Sequence, residues 1–225
     1  MDRSTSFIIS AAAGIAFGVL FMLGAFLPGP PPGFGATGDE VVAFYQGHGG
    51  AQAWANFLEG LGVVALIGFL PALRSTLAIL EGESGFAWTV TMAGLIGGTG
   101  AALAGTGMFE AQALNAATLQ DPSAVLLMEA AARNARNFSY FPVAAAIGTA
   151  SWCLLGSRGF TRGIGWFGML AALLLLVSTL IFVFQTPAIR LLGLAALFGF
   201  GGWFLLLGVA LSLRASRGQP LASIR

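Results

Sequence analysis

The chain contains no lysine: all ten of its basic residues are arginines. Schiff-base chemistry and a lysine-linked retinal are therefore excluded. It has one cysteine, Cys153, which rules out an intramolecular disulfide and a cysteine-based metal cluster. Lying in an apolar stretch, Cys153 reads as a small buried hydrophobe. There is also a single histidine, His48, set between glycines in "QGHGG". A site joining His48 to Glu59 and Glu110 would suit zinc or iron chemically, but one histidine with no spaced second ligand is a weak signal. Neither metal nor cofactor is expected.

Charge of either sign is scarce. Charged residues make up 8% of the chain, against about 25% in an ordinary soluble domain. The formal net charge of +1 supplies no field to recruit nucleic acid. What is abundant is apolar: 57% of the 225 residues are hydrophobic and the mean hydropathy is +0.86. That is the balance of a membrane protein.

A hydrocarbon core about 30 Å thick takes about 20 helical residues to cross. Six runs suffice, at 7–28, 52–73, 86–110, 138–156, 164–186 and 190–213. The first exceeds the roughly 7 to 15 apolar residues of a secretory signal core, so it is expected to remain as a span. The fold expected is an all-α, six-helix transmembrane bundle forming one domain over 1–225, with short amphipathic cap helices in the connecting segments 29–51 and 111–137. In the first cap, Thr37 or Asp39 can begin a helix whose Val41, Val42, Phe44 and Tyr45 form an apolar side. In the second, Asp121 and Pro122 start a helix with Val125, Leu126, Leu127 and Met128 as cover, and Glu129 pairs with Arg133 four residues on.

A cytoplasmic N-terminus places Arg3, Arg74, Arg158, Arg162, Arg214, Arg217 and Arg225 inside and only Arg133, Arg136 and Arg190 outside. The opposite orientation violates the positive-inside tendency, so both termini are expected in the cytoplasm. Helices in lipid associate mainly through close packing of small residues. The third run carries two such rows, Ala93, Gly97, Ala101, Gly105 and Gly94, Gly98, Ala102, which predict a central position for it. Gly14, Gly18, Gly199, Gly201 and Gly202 mark lesser contacts, and the five tryptophans read mostly as interfacial anchors.

Against this background one carboxylate stands out. Glu59 lies about two turns inside the second run, where a charge is costly and needs a partner, water or a proton. Gln52, Asn56 and Glu59 share one helical face at i, i+4, i+7. Thr106 and Glu110, then Arg133, Arg136, Asn137 and Tyr140, and finally Gln185, bring polar groups to the same level. The inner halves carry only isolated hydroxyls such as Thr149, Ser151, Ser178 and Thr179, which are expected to bond back to helix carbonyls. These positions predict an outward-opening polar pocket with Glu59 at its floor, Arg136 or Arg133 as counter-charge, and Tyr45 and His48 at its rim. A plain structural ion pair explains Glu59 equally well.

The segments "DEVVAFYQGH", "LEGLGVVALIGFLPALR" and "NFSYFP" resemble a group of uncharacterised, especially actinobacterial, multi-spanning membrane proteins carrying a domain of unknown function. The resemblance covers about residues 36–185 through Glu40, Val41, Tyr45, His48, Gly60, Leu61, Phe69, Leu73, Arg74, Phe141 and Pro142. It implies placement in a bacterial plasma membrane and implies no activity. Three function classes follow: binding of a small or amphiphilic ligand in the pocket, service as an accessory subunit of a larger membrane complex, and an intramembrane enzyme using a buried carboxylate. No nucleophile–base pair with recognisable spacing supports the last. The expected partners are membrane lipids, a small-molecule or lipid ligand, and a membrane protein.

Overall fold

The computed structural model describes residues 3–33, 35–118, 121–182, 184 and 186–217. Seven α-helices are formed: α1 Arg3–Phe26, α2 Gly38–Glu81, α3 Phe86–Leu114, α4 Pro122–Phe138, α5 Tyr140–Leu155, α6 Phe160–Ser178 and α7 Pro187–Ser216. No strand occurs among the described residues. Six helical segments are long and apolar enough to cross a membrane, α4 and α5 together supplying one of them. The chain is a multi-pass, all-α membrane protein.

The helices run up and down as antiparallel neighbours. Ser10 of α1 donates to the Gly68 carbonyl of α2 (2.7 Å) and accepts from the Ala72 amide (3.0 Å), while Gly24, at the other end of α1, packs on Ala55 and Glu59. Between α3 and α5, Thr91 reaches the Ala146 carbonyl at 3.3 Å and Gly98 abuts Ser139 and Val143. Gly165 of α6 touches Ser151 of α5, and Gly199 of α7 touches Ala171 of α6. Both described termini thus lie at one end of the bundle. The opposite end, here the distal end, carries α4.

Small residues set how close these helices come. A Cβ on Gly14 would fall 2.6 Å from the Phe69 ring, on Gly18 2.8 Å from the Gly201 carbonyl, and on Gly94 2.3 Å from the Pro142 carbonyl. Into the space between α1, α2 and α7 fit Phe17, Phe69, Phe200, Trp203 and Phe204, packed largely edge to face, a geometry favoured by the ring quadrupole. This apolar core continues to Ile147, Leu154 and Leu175 of α5 and α6. Trp203 is 1% exposed, so it is a core residue and no interfacial anchor; Trp54, Trp152 and Trp166 are exposed.

Three further expectations are corrected. The cap segment 29–51 and the span 52–73 are not separate helices, because α2 runs unbroken for 44 residues, about 66 Å at 1.5 Å per residue. Gly49 and Gly50 do not interrupt it: Gly49 is buried against α3, where a Cβ would fall 3.0 Å from the Ala113 carbonyl. Thr37 begins the helix through a reciprocal capping box with Glu40 (2.7 and 3.3 Å). Pro71 sits within α2 without ending it. The third helix is not central. Gly94, Gly98 and Gly105 pack against α5 and α4, but Ala93, Gly97, Gly100, Ala104 and Gly107 are exposed, so α3 lies at the edge with one small-residue row occupied and another open. Finally, in α4, which starts at Asp121 and Pro122 as expected, only Val125 of the apolar set is buried; Leu126, Leu127 and Met128 are exposed. One face of α4 rests on α2 and α3, and a single helix cannot turn four consecutive residues toward it. Gln185 and Arg225 lie outside the described residues.

Candidate functional site: a distal polar seam

At the distal end α2, α3 and α4 converge on a second, smaller core of Val41, Tyr45, Phe109, Ala113, Val125 and Ala132. Polar side chains run beside it in two linked groups.

The first group belongs to Glu59. Its Oε1 accepts from Arg136 Nη2 and its Oε2 from the Thr106 hydroxyl at 3.0 Å. The carboxylate side chain is 11% exposed and that of Arg136 31%. Gly24 of α1 lets the helices close around it, since a Cβ there would fall 2.9 Å from Glu59 Cγ. Gly105 does the same on α3, where a Cβ would fall 2.6 Å from the Ala132 carbonyl. The Arg136 guanidinium lies over the Phe109 ring at 5.5 Å, a cation–π contact. Glu59 therefore ties four helices: α1 by contact, α2 by its backbone, α3 through Thr106 and α4 through Arg136.

One turn and two turns earlier on α2 the stripe continues. Asn56 donates to Glu110 Oε2 of α3 at 2.7 Å and accepts from Gln52 at 2.8 Å. Gln52 and Asn56 are buried and Glu110 is half-buried. Among the described residues no arginine pairs with Glu110.

The second group centres on Glu129, 3% exposed. Its Oε2 accepts from the Tyr45 hydroxyl (2.7 Å) and from Gln112 (3.4 Å), and its Oε1 from Arg133 Nε (2.7 Å). Arg133 also donates to the Pro32 carbonyl at 2.7 Å. The expected helical pair Glu129–Arg133 is present at 2.6 Å, and it fastens α4 both to α2 and to the proline-rich connection behind α1.

The sequence-derived set thus divides. Asn56, Glu59, Glu110 and Arg136 come together. Of the two candidate counter-charges Arg136 is the partner of Glu59, and Arg133 serves Glu129. Tyr45 is buried under α4 and is no rim residue. His48 is exposed, stacked on Phe44 with ring centroids 4.8 Å apart and hydrogen-bonded to the Phe44 carbonyl at 3.1 Å; both contacts lie within its own helix. Tyr140 is half-buried, one helical turn after Arg136. Asn137 is half-buried and takes part in none of these bonds. Among the described residues no three His, Cys, Asp or Glu side chains gather as a metal site would need.

Sequence reasoning did not find Gln112, the Tyr45–Glu129 bond or the role of Gly24. Tyr45 and Glu129 are 84 residues apart, and no periodicity links them. Gln112 carried a signal, a polar residue among "FEAQAL" at the end of an apolar run. Its Oε1 is buried with no hydrogen-bond partner among the described residues. Of the isolated hydroxyls, Ser178 and Thr179 stand at the distal end of α6 and not in its inner half, and bond back to helix carbonyls at 2.7 and 2.6 Å. Ser151 does not: its hydroxyl is buried with no hydrogen-bond partner among the described residues.

No family model, curated protein or solved structure matches the chain.

Proposed function

We propose that this is a bacterial plasma-membrane protein, both termini cytoplasmic, that binds a small or amphiphilic ligand at the distal seam, on the side facing away from the cytoplasm. The orientation rests on the arginine distribution, seven against three. The observation that carries the ligand reading is Glu110. Three carboxylates, Glu59, Glu110 and Glu129, share the seam with two guanidiniums, Arg133 and Arg136. Glu59 and Glu129 are each paired, while among the described residues Glu110 has the neutral amide of Asn56 as its one hydrogen-bond partner. A half-buried carboxylate with no cation beside it among the described residues favours a ligand that brings a positive charge. The other two acids have a structural part, since both oxygens of each are already engaged, which also leaves Glu59 poorly placed as a general base.

The test is thermal stability in neutral detergent with dodecylamine, and with dodecanol as the uncharged control. Binding at about 100 times Kd stabilises by about 2.7 kcal/mol. A rise in Tm with the amine alone, absent in Glu110→Gln, is the expected result. An equal rise with both probes, or the same rise in the variant, removes the ligand reading.

The open row on α3 favours a second reading, an accessory subunit. Ala93, Gly97, Gly100, Ala104 and Gly107 recur at alternating spacings of four and three along the exposed side of that helix, and nothing lies within 4 Å of a side chain placed at Gly100 or Gly107. Such a row admits a close helix from another membrane protein. Gentle extraction from native membranes recovers a stoichiometric partner if this reading holds.

A further inference from the structure

At the end of the bundle bearing the termini, a cleft of about 410 Å³ opens beside α3, α5 and α6. Phe86, Gly148, Thr149, Trp152, Cys153 and Met169 line it, and Glu81 and Ser84 stand at its edge. Its size falls within the range of ligand sites, roughly 300 to 1,000 Å³. Phe86 and Trp152 are 68% and 70% exposed, the amphipathic aromatic pattern of a membrane interface for Trp152. Gly148 keeps the floor open, since a side chain there would meet only Ala172, at 3.6 Å.

Among the described residues that line it, the one charged side chain is unusual in its setting. Glu81, the last residue of α2, reaches across the turn and holds the first turn of α3: Oε2 accepts from the Ala87 amide (2.7 Å) and Ser84 hydroxyl (3.3 Å), Oε1 from the Trp88 amide (3.3 Å). A carboxylate offers about four lone-pair positions, so one remains, on Oε1. Among the described residues no arginine pairs with it. On α6, Arg162 is exposed and stands seven residues before Met169, on the same helical face and about 10 Å along the axis.

We infer that this cleft is a lipid site selecting a phosphatidylethanolamine: an acyl chain lies in the apolar trough between Phe86 and Trp152, the headgroup ammonium donates to the remaining lone pair of Glu81, and the phosphate lies toward Arg162. A choline headgroup has no N–H to donate, and a glycerol headgroup brings no cation.

Cys153 makes this testable, because it is the only cysteine in the chain and lines the cleft. The rate of its alkylation by N-ethylmaleimide is measured in mixed micelles containing phosphatidylethanolamine, phosphatidylcholine or phosphatidylglycerol. With lipid at about ten times Kd the cleft is open about a tenth of the time, so the ethanolamine lipid slows alkylation about tenfold and the other two much less. Glu81→Gln should erase the difference between lipids. Since Glu81 also caps α3, Thr149→Phe provides a variant that fills the trough and leaves the cap intact; its alkylation should be insensitive to all three lipids. Equal slowing by the three lipids, no slowing by any, or a persistent ethanolamine effect in folded Thr149→Phe overturns the assignment. None of these results bears on Glu110 at the other end of the bundle.

Discussion

Around Phe69, Trp203 and Phe204 the helices meet through rings and glycines, and every named side chain is at most 1% exposed. Around Glu59 and Glu129, at the distal end, α2 and its neighbours meet through carboxylates, amides and guanidiniums. The difference follows from what each surrounding medium leaves to be gained. Apolar helices in hydrocarbon gain little by leaving lipid for one another, so contact there depends on close approach. A polar side chain taken out of water must find a hydrogen-bond partner, and each such bond has a single register. The aromatic core supplies contact area, and the seam specifies which residue faces which.

The largest effect is expected where a charge loses its partner. Arg136→Ala leaves Glu59 buried beside Thr106 alone and should destabilise the protein by about 3 kcal/mol or more, read as unfolding in a detergent titration. Adding Glu59→Gln should restore most of that loss. If the double variant is as unstable as the sum of the two single ones, the pair contributes no coupling and the proposed division between the two regions is wrong.

Next comes the packing half. In Gly94→Ala the new methyl falls 2.3 Å from the Pro142 carbonyl oxygen and 2.8 Å from the Ala146 Cβ. Backbone cannot rotate away as a side chain can, so α3 and α5 must separate, at a cost of about 1 to 3 kcal/mol. The same unfolding titration checks it; no loss would show that the two helices do not meet this closely.

Tyr45→Phe tests the second acid of the seam more gently. Glu129 keeps Arg133 and Gln112, so the variant forfeits one hydrogen bond to a charged group, about 1.5 kcal/mol. Proteolysis within α4 should then rise, because Tyr45 is one of the α2 side chains, with Glu59, that hold that helix to α2.

How much of this was legible in the sequence differs between the two regions for the same physical reason. Length and hydropathy alone locate spans, because crossing the bilayer is a requirement on each helix separately. Glu59 was legible because charge is rare in such a run, and its stripe with Gln52 and Asn56 follows from the helical repeat. Its partner was not: Arg133 and Arg136 lie within one turn, and the choice depends on how α4 is rotated over α2. The continuity of α2 was hidden at Gly49 and Gly50, beside the expected boundary between cap and span: Gly49 packs on Ala113, while Gly50 faces open space. The edge position of α3 was hidden too, since two small-residue rows look alike in composition and only the packed structure shows which one is occupied.

The smallest effect should come from that unoccupied row. Gly100 is exposed, and a Cβ there meets nothing within 4 Å, whereas a glycine within a helix costs about 0.5 to 1 kcal/mol relative to alanine. Gly100→Ala should thus stabilise the isolated protein by up to that amount, the opposite sign to Gly94→Ala only six residues away. If α3 docks against another protein in the membrane, Gly100→Leu should leave the purified chain folded while releasing the partner from gently extracted complexes. A partner retained by the leucine variant would place its contact elsewhere, and the row would then be a surface that only lipid touches.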